Sequence, residues 1–176
     1  MAQPARRRVG RVKQRTRGRQ GKVVLRTAGA GDMAGFAELL ARLSAESVRR
    51  RFFTPGPLGP AWELRYLETL DGMDRGAVVA TSGSRIVGMA RWHREPGATE
   101  AEMAVVVEDG WQHRGVGTAL VRALADGARG RGVSVLTGSI LADNSPAVRL
   151  VRVNAPWADG AVRRGVYEFR IELPAA

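Results

Sequence analysis

Residues 100–130 read EAEMAVVVEDGWQHRGVGTALVRALADGARG, an apolar run followed by a glycine-bearing turn and an amphipathic pattern. Apolar residues occupy both faces of 103–107, which predicts a strand that is covered on both sides within a mixed sheet. From Val116 onward apolar residues recur every four positions, which predicts a helix, and Gly130 and Gly132 mark its end. The order strand, glycine-rich turn, helix therefore predicts an α/β domain.

The turn at 112–117 has the composition of an anion-binding site. It reads QHRGVG, and its glycines let a ligand approach the backbone without a Cβ in the way. The first amides of a helix have no intrahelical acceptor and lie at the positive end of the helix dipole, so they suit a pyrophosphate. Arg114 would add a formal charge. A tight connection without a ligand also needs glycine, so the hexapeptide alone leaves both interpretations open.

Two segments of the chain resemble one known family. QHRGVG, after a strand and at the start of a helix, resembles the acetyl-CoA signature Q/R-x-x-G-x-G/A of the GNAT N-acetyltransferases. Further along, a second strand pattern at 133–136 precedes DNSPA at 143–147, which resembles the family's second cofactor segment, where an asparagine opens the next helix. The resemblance implies a GNAT fold, with a mixed, mostly antiparallel central sheet flanked by helices on both sides.

The resemblance also implies acetyl-CoA as the cosubstrate and suggests where it binds. The pyrophosphate would lie on the turn, the acetyl carbonyl on a backbone amide near a bulge that splays the strand, and the rest of the cofactor's arm beside the asparagine. The cofactor-binding residues expected on this basis are Val105, Val106, Val107, Gln112, His113, Arg114, Gly115, Val116, Gly117, Thr118 and Asn144.

Glu102 is the residue that we expect to deprotonate the acceptor amine. It lies on the same face of the strand as Glu100. Burial in the middle of an apolar strand disfavours the charged form of a carboxylate, which suits a general base. The resemblance likewise implies a glutamate base here, acting directly or through water. The structural alternative is an ion pair with an arginine such as Arg91.

The group that protonates the departing thiolate has no candidate in the sequence. Many relatives in the family use a tyrosine on the helix after the asparagine, and Val151 stands close to that place here. This departure fits the protein-lysine branch of the family, and it also fits a domain that has lost its activity. We therefore assign no general acid.

The length and composition indicate one domain without cysteine chemistry. A chain of 176 residues is long enough to bury a sizeable core. The absence of cysteine excludes disulfides, cysteine-ligated metals and a thioester on the protein itself, and we expect no metal site. Neither a membrane-spanning run nor a secretory signal pattern occurs, so we expect a cytoplasmic protein without a membrane partner.

The net charge of +11 is concentrated at the start of the chain. Nine of the 28 basic residues fall within residues 1–22, which contain no acid, so the rest is nearly neutral. We expect residues 1–21 to be a disordered basic arm and residues 22–176 to be the acetyltransferase domain. The arm has the charge to hold nucleic acid but lacks aromatic residues for stacking, so that partner is not favoured. A solvated tail and a misplaced start codon are the alternatives.

The remaining elements are predicted from local patterns. We expect a strand at 22–27, a helix capped by Asp32, a helical piece at 44–53, a loop at 54–60, a helix or ordered lid from Trp62 to Leu70, a hairpin of 77–81 and 85–93, a helix that Ser145 caps, and a last strand at 166–173. Trp62 and Tyr66, four residues apart, fit the core better than an acceptor pocket. His93, at a strand end, is expected to be a surface residue.

The predicted function is transfer of acetyl from acetyl-CoA to a primary amine in a ternary complex. The segment LSAESVRRRFF at 43–53 resembles one found in bacterial protein-lysine acetyltransferases, which implies a protein lysine as acceptor. Small amines such as amino sugars or polyamines are the alternative within the enzyme class. A non-catalytic acetyl-CoA sensor, or a nucleic-acid-binding protein on the same fold, is the alternative outside it.

Overall fold

A computed structural model of the chain describes residues 15–17, 22–53 and 64–174. These residues form a mixed sheet with the strand order β1-β2-β3-β4-β5-β6-β8-β7, in which every neighbouring pair is antiparallel except β5 and β6. The strands of this described part are β1 (Arg15–Arg17), β2 (Lys22–Thr27), β3 (Arg75–Ser82), β4 (Arg85–His93), β5 (Glu100–Val107), β6 (Val135–Leu141), β7 (Asp159–Arg163) and β8 (Val166–Glu172).

Helices pack on both faces of the sheet, as predicted. Described helices are α1 (Met33–Ala41), α2 (Ala45–Phe52), α3 (residues 64–68), α4 (Val116–Arg129) and α5 (Ser145–Asn154). One buried cluster joins α1 and α3 to one face, and a second joins α4 and α5 to the other. Because side chains alternate along a strand, Val79 of β3 faces α1 while Val78 belongs to the α4 side.

Parallel pairing between β5 and β6 is short. It covers only Glu100–Glu102 of β5, although the strand continues to Val107. Beyond Glu102 the two strands separate, and the gap between them is the feature that positions the site. The bulge predicted in this strand is absent from its pairing with β4, whose register runs without a shift from Gly88 to His93. The sheet therefore opens because β5 and β6 diverge, and not because β5 gains a residue.

Four local predictions need correction. Asn144, not Ser145, caps α5, since its side chain accepts a hydrogen bond from Ala147 N. Asp32 precedes α1 but bonds to Arg26 and Gly29 instead of capping the helix. Residues 15–17 form a strand inside the arm that was predicted to be disordered, and the rest of that arm lies outside the described residues. The strand β7 was missed, because all five of its side chains are exposed and give no alternating pattern.

Candidate active site

A cavity of about 670 Å³ opens where β5 and β6 separate. Its walls are the second half of β5, the start of α4, one face of α5, and α2. Most of the predicted site residues line it, namely Glu102, Val105, Val106, Val107, Gln112, His113, Gly115, Gly117, Thr118 and Asn144. The fold therefore brings together the two segments that the sequence singled out.

The turn before α4 presents backbone amides that have no acceptor among the described residues. Gly115, at the N-cap of α4, has φ of 79°, a left-handed conformation that strongly favours glycine, and His113 is also left-handed at 57°. Ala119 N donates to Gly115 O at 3.0 Å. The amides of Val116, Gly117 and Thr118 come before this donor and have no acceptor within the helix. This end of α4 has the geometry that suits a pyrophosphate.

The gap beyond Glu102 exposes a second set of amides. Glu108 N donates to Val87 O at 3.0 Å and so points toward β4. Backbone groups alternate along a strand, so the amide of Val106 also points toward β4, whereas those of Val105 and Val107 point into the gap. Two of the three predicted valines therefore direct an N–H toward the space beside β6.

Gln112 is used differently from the prediction. Its side-chain Nε2 donates to Val107 O at 3.0 Å and to Ser47 Oγ at 3.2 Å, and its backbone N–H donates to Asp109 O. All of its hydrogen-bond donors are therefore engaged within the protein. Gln112 holds the turn in place and has no donor left for a phosphate.

Two other predicted contacts lie outside the cavity wall. Val116 is 1% exposed and belongs to the core that α4 shares with the sheet, so its side chain fixes the helix. Arg114 is exposed, and its guanidinium lies over the Trp111 ring, 5.7 Å from the centroid. The charge of Arg114 is near the turn, but its side chain does not line the cavity.

Asn144 lies at the start of α5, across the cavity from the turn. Its Oδ1 accepts from Ala147 N at 3.3 Å, which fixes the side chain at the helix start. The amide nitrogen of the same side chain has no partner among the described residues. Val151, one of the residues that line this side, is 6% exposed, and no tyrosine lines the described cavity wall.

Glu102 lies at the mouth of the cavity and is exposed, so the predicted burial is wrong. It is paired across the sheet with His93, on the face that also carries the buried Arg91. No hydrogen bond or ion pair joins Glu102 to another residue in the described part of the chain, so the predicted alternative of a pair with Arg91 is not found there. Glu100, by contrast, bonds to Arg170.

The exposure of Glu102 follows from its place in the sheet. On its face the helices α1 and α3 cover β3 and β4, while the side chains of Glu168, Arg170 and Glu172 on β8 are exposed. Glu102 stands where the covered half of the sheet ends. Its carboxylate is therefore accessible both from the cavity and from the open face of the sheet.

A family model decides the identity of this arrangement. The model of the acetyltransferase (GNAT) family matches residues 43–154, which include α2, the splayed strand, the turn, α4 and α5. The chain belongs to the GNAT acetyltransferase family. Membership confirms the predicted fold, and the family is one of acetyltransferases that use acetyl-CoA as their cosubstrate.

Individual relatives agree with the GNAT assignment. Acetyltransferase Pat of Mycolicibacterium smegmatis is 33% identical over 135 residues, which are 74% of this chain and 40% of that protein. The chain thus spans well under half of that relative's length. The structure of the GNAT domain of S. lividans PAT superposes with a TM-score of 0.78 at 25% identity, covering 87% of this chain and 92% of that domain.

A structure with bound cofactor shows the same fold. The putative acetyltransferase yncA from Salmonella typhimurium, solved with its cofactor acetyl-CoA, superposes with a TM-score of 0.69 at 19% identity, covering 88% of this GNAT chain and 95% of that one.

As for membranes, none of the helices in the described ranges combines the length and the apolar character that crossing a bilayer requires.

Proposed function

We propose that this chain transfers the acetyl group of acetyl-CoA to the ε-amino group of a protein lysine, with Glu102 as the general base. The observation that carries the proposal is the place of Glu102, unpaired in the described part, exposed, and at the mouth of the cavity between β5 and β6. An amine that approaches along the open sheet face meets this carboxylate at the point where the cavity begins. The carboxylate can accept the amine proton directly or through one water.

The residues around the gap suit the cosubstrate. The amides at the start of α4 would hold the pyrophosphate, and those of Val105 and Val107 would bind the pantetheine arm and the thioester carbonyl. Transfer forms a bond between the amine nitrogen and the carbonyl carbon and breaks the bond from that carbon to sulfur. The nitrogen loses a proton to Glu102, and the thiolate gains one from water, because no tyrosine lines the described cavity wall. The proton held by Glu102 then neutralises the hydroxide that is left.

A protein acceptor is favoured over a small amine by the open face. Glu168 and Glu172 of β8 are exposed on the face that Glu102 shares, and Glu168 lies opposite Ser139 of the cavity wall. Arg170 lies between them and pairs with Glu100, so its charge is matched. Such a surface attracts a cationic side chain that projects from a larger molecule. The similarity of 43–53 to the protein-lysine branch and the 33% identity to acetyltransferase Pat support the same choice.

The experiment measures release of free CoA from acetyl-CoA with lysine peptides, free amines and amino sugars. Glu102→Gln is expected to lower kcat/KM for the preferred amine by about 10²-fold or more, because a positioned general base contributes about that much. Binding of acetyl-CoA, measured by calorimetry, should remain unchanged. Glu100→Gln is the matched control on the same strand and face, and turnover should persist there.

Three results would contradict parts of the proposal. Turnover of small amines without turnover of peptides would favour the small-molecule enzyme. Wild-type binding of acetyl-CoA without turnover of any amine would favour a sensor. Equal losses in the Glu102 and Glu100 variants would show that general charge on this face, and not a specific base, supports the reaction.

A further inference from the structure

The helix α2 forms a wall of the cavity although little of it is buried. None of its residues is fully buried, in contrast to α1, which buries Phe36, Leu39 and Leu40. Phe52 at its end packs against the core as a half-buried residue. Five residues at its end and along one side line the cavity, namely Ser47, Arg50, Arg51, Phe52 and Phe53. Polar contacts must therefore supply much of what holds α2 in place.

The first set of polar contacts joins α2 to the turn after β5. Ser44 donates to the Asp109 carboxylate through its backbone N at 3.0 Å and its hydroxyl at 2.7 Å. Ser47 Oγ donates to the same carboxylate at 2.8 Å and accepts from Gln112 Nε2 at 3.2 Å. Since Gln112 also bonds to Val107 O, one continuous chain of hydrogen bonds runs from the end of β5 to the start of α2.

The carboxylate at the centre of this chain is charged at neutral pH. Burial alone raises the pKa of Asp109, but hydrogen bonds from Ser44 and Ser47 outweigh that effect and the pKa is lowered. Its hydrogen bonds are therefore charge-assisted and stronger than those between neutral groups. Because Asp109 lies on an exposed turn, its replacement leaves no buried group unpaired in the core.

The second set of contacts joins α2 to the turn after β6. Arg49 Nη2 donates to Asp143 Oδ2 at 2.8 Å, and Asp143 directly precedes Asn144. The same guanidinium bonds to Glu46 and lowers the pKa of that carboxyl to about 2. The helix α2 is thus attached to both segments that flank the gap, one on each side of the cofactor position.

Resting on the function proposed above, we propose that Asp109 is a positioning residue for the acceptor. It holds α2 against the pyrophosphate turn on the side of the sheet that carries Glu102, where Phe52 of α2 packs with the cluster of α1 and α3. In this position α2 forms the acceptor-side wall of the cavity only while that turn is in its binding conformation. Asp109 does not line the cavity itself. Its loss should therefore weaken acceptor binding while acetyl-CoA binding remains.

The test compares Asp109→Ala with the wild-type chain in three measurements. The KM for the preferred amine is expected to rise by about tenfold or more, because the variant removes the three hydrogen bonds that Ser44 and Ser47 donate to the Asp109 carboxylate and one charge-assisted bond alone is worth about that factor. The Kd for acetyl-CoA should stay at the wild-type value. Amide hydrogen exchange of residues 45–52 should become faster, while exchange of α4 does not change.

Two further variants serve as a control and as a substitute for Asp109→Ala. Asp126→Ala removes an exposed carboxylate that pairs with Arg129 on α4, far along the helix from the turn, and should leave all three measurements unchanged. Ser47→Ala removes the hydrogen bond to Asp109 and the one from Gln112, and gives the same pattern in a weaker form if Asp109→Ala proves too unstable to purify.

Unchanged exchange of α2 in Asp109→Ala would overturn the proposal, and so would a Kd for acetyl-CoA that rises as much as the acceptor KM. Failure of the proposed function is a separate result, because it appears as no turnover in the wild type. In that case the exchange measurement still decides whether Asp109 holds α2.

Discussion

Replacing Gly117 with alanine separates a role in cofactor binding from a role in folding. Gly117 is the second residue of α4 and lines the cavity. An added Cβ would lie 3.3 Å from Leu150 Cδ2, close enough that Leu150 must shift by a few tenths of an ångström. Alanine favours a helix interior over glycine by about 1 kcal/mol, which opposes the cost of moving Leu150.

The effect on binding should be larger. A methyl group here would reach toward Leu150 and Val107, which both line the cavity, and would narrow the space beside the first amides of α4, so that a phosphate is expected to lose a hydrogen bond. Loss of one hydrogen bond to a charged group costs about 1.5–3 kcal/mol. The Kd for acetyl-CoA should therefore rise by about 10-fold to 150-fold. Calorimetric titration measures this change, and thermal unfolding of the same samples measures stability.

Gly127→Ala is the matched control on the same helix. Its Cβ would lie 3.6 Å from Trp92, an ordinary contact, and Gly127 does not line the cavity. The control should raise Tm by about 2–4 °C, the equivalent of about 1 kcal/mol in a domain of this size, without changing the Kd. If Gly117→Ala binds acetyl-CoA as tightly as the wild type does, the turn is not the pyrophosphate site.

Two further predictions concern the sheet and the first helix. Gly138→Ala should destabilise the protein by about 1–3 kcal/mol, because the new Cβ would lie 2.6 Å from the Phe169 ring and overpack it; a denaturation midpoint equal to that of the wild type would show that Phe169 turns away freely. The variant Asp32→Asn should lose less of its free energy of unfolding than the wild type loses when the pH is lowered. A hydrogen bond from Arg26 lowers the pKa of Asp32, so its contribution is complete above the unfolded pKa of about 4 and is lost as pH falls through the lower folded value. Urea unfolding at several pH values measures the free energy of unfolding of both proteins. The same dependence of that free energy on pH in the variant and the wild type would contradict the prediction.

Local patterns predicted the elements that carry the site. The four-residue recurrence from Val116 and the glycines after it predicted α4 almost to the residue, because helix periodicity and stop signals are written in adjacent positions. The strand at Lys22–Thr27 and the hairpin of β3 and β4 were also predicted correctly, because apolar runs and the turn residues between them lie close together in the sequence. Tyr66 was correctly predicted to be a core residue, whereas Trp62 and the loop at 54–60 lie outside the described residues.

The predictions that failed depended on distant neighbours. The burial of Glu102 was inferred from the apolar strand around it, but exposure is decided by whether a helix covers that part of the sheet. The role of Gln112 depends on Ser47, a residue 65 positions earlier in the chain. The strand β7 exists because it pairs with β8 through a turn in which Arg164 and Gly165 have positive φ, and its own side chains carry no signal.

The sequence by itself determined the order of the main elements and the glycine turn, since each depends on residues next to one another in the chain. The reaction class was implied by the resemblance of two short segments to the GNAT family. The tertiary structure decided how β5 and β6 diverge, which carboxylate at the cavity has no partner among the described residues, and how α2 is attached to the turns after β5 and β6. These features arise from strand pairing and side-chain contacts between residues far apart in sequence. Neither periodicity nor composition records such contacts, so they become visible only when the chain is folded.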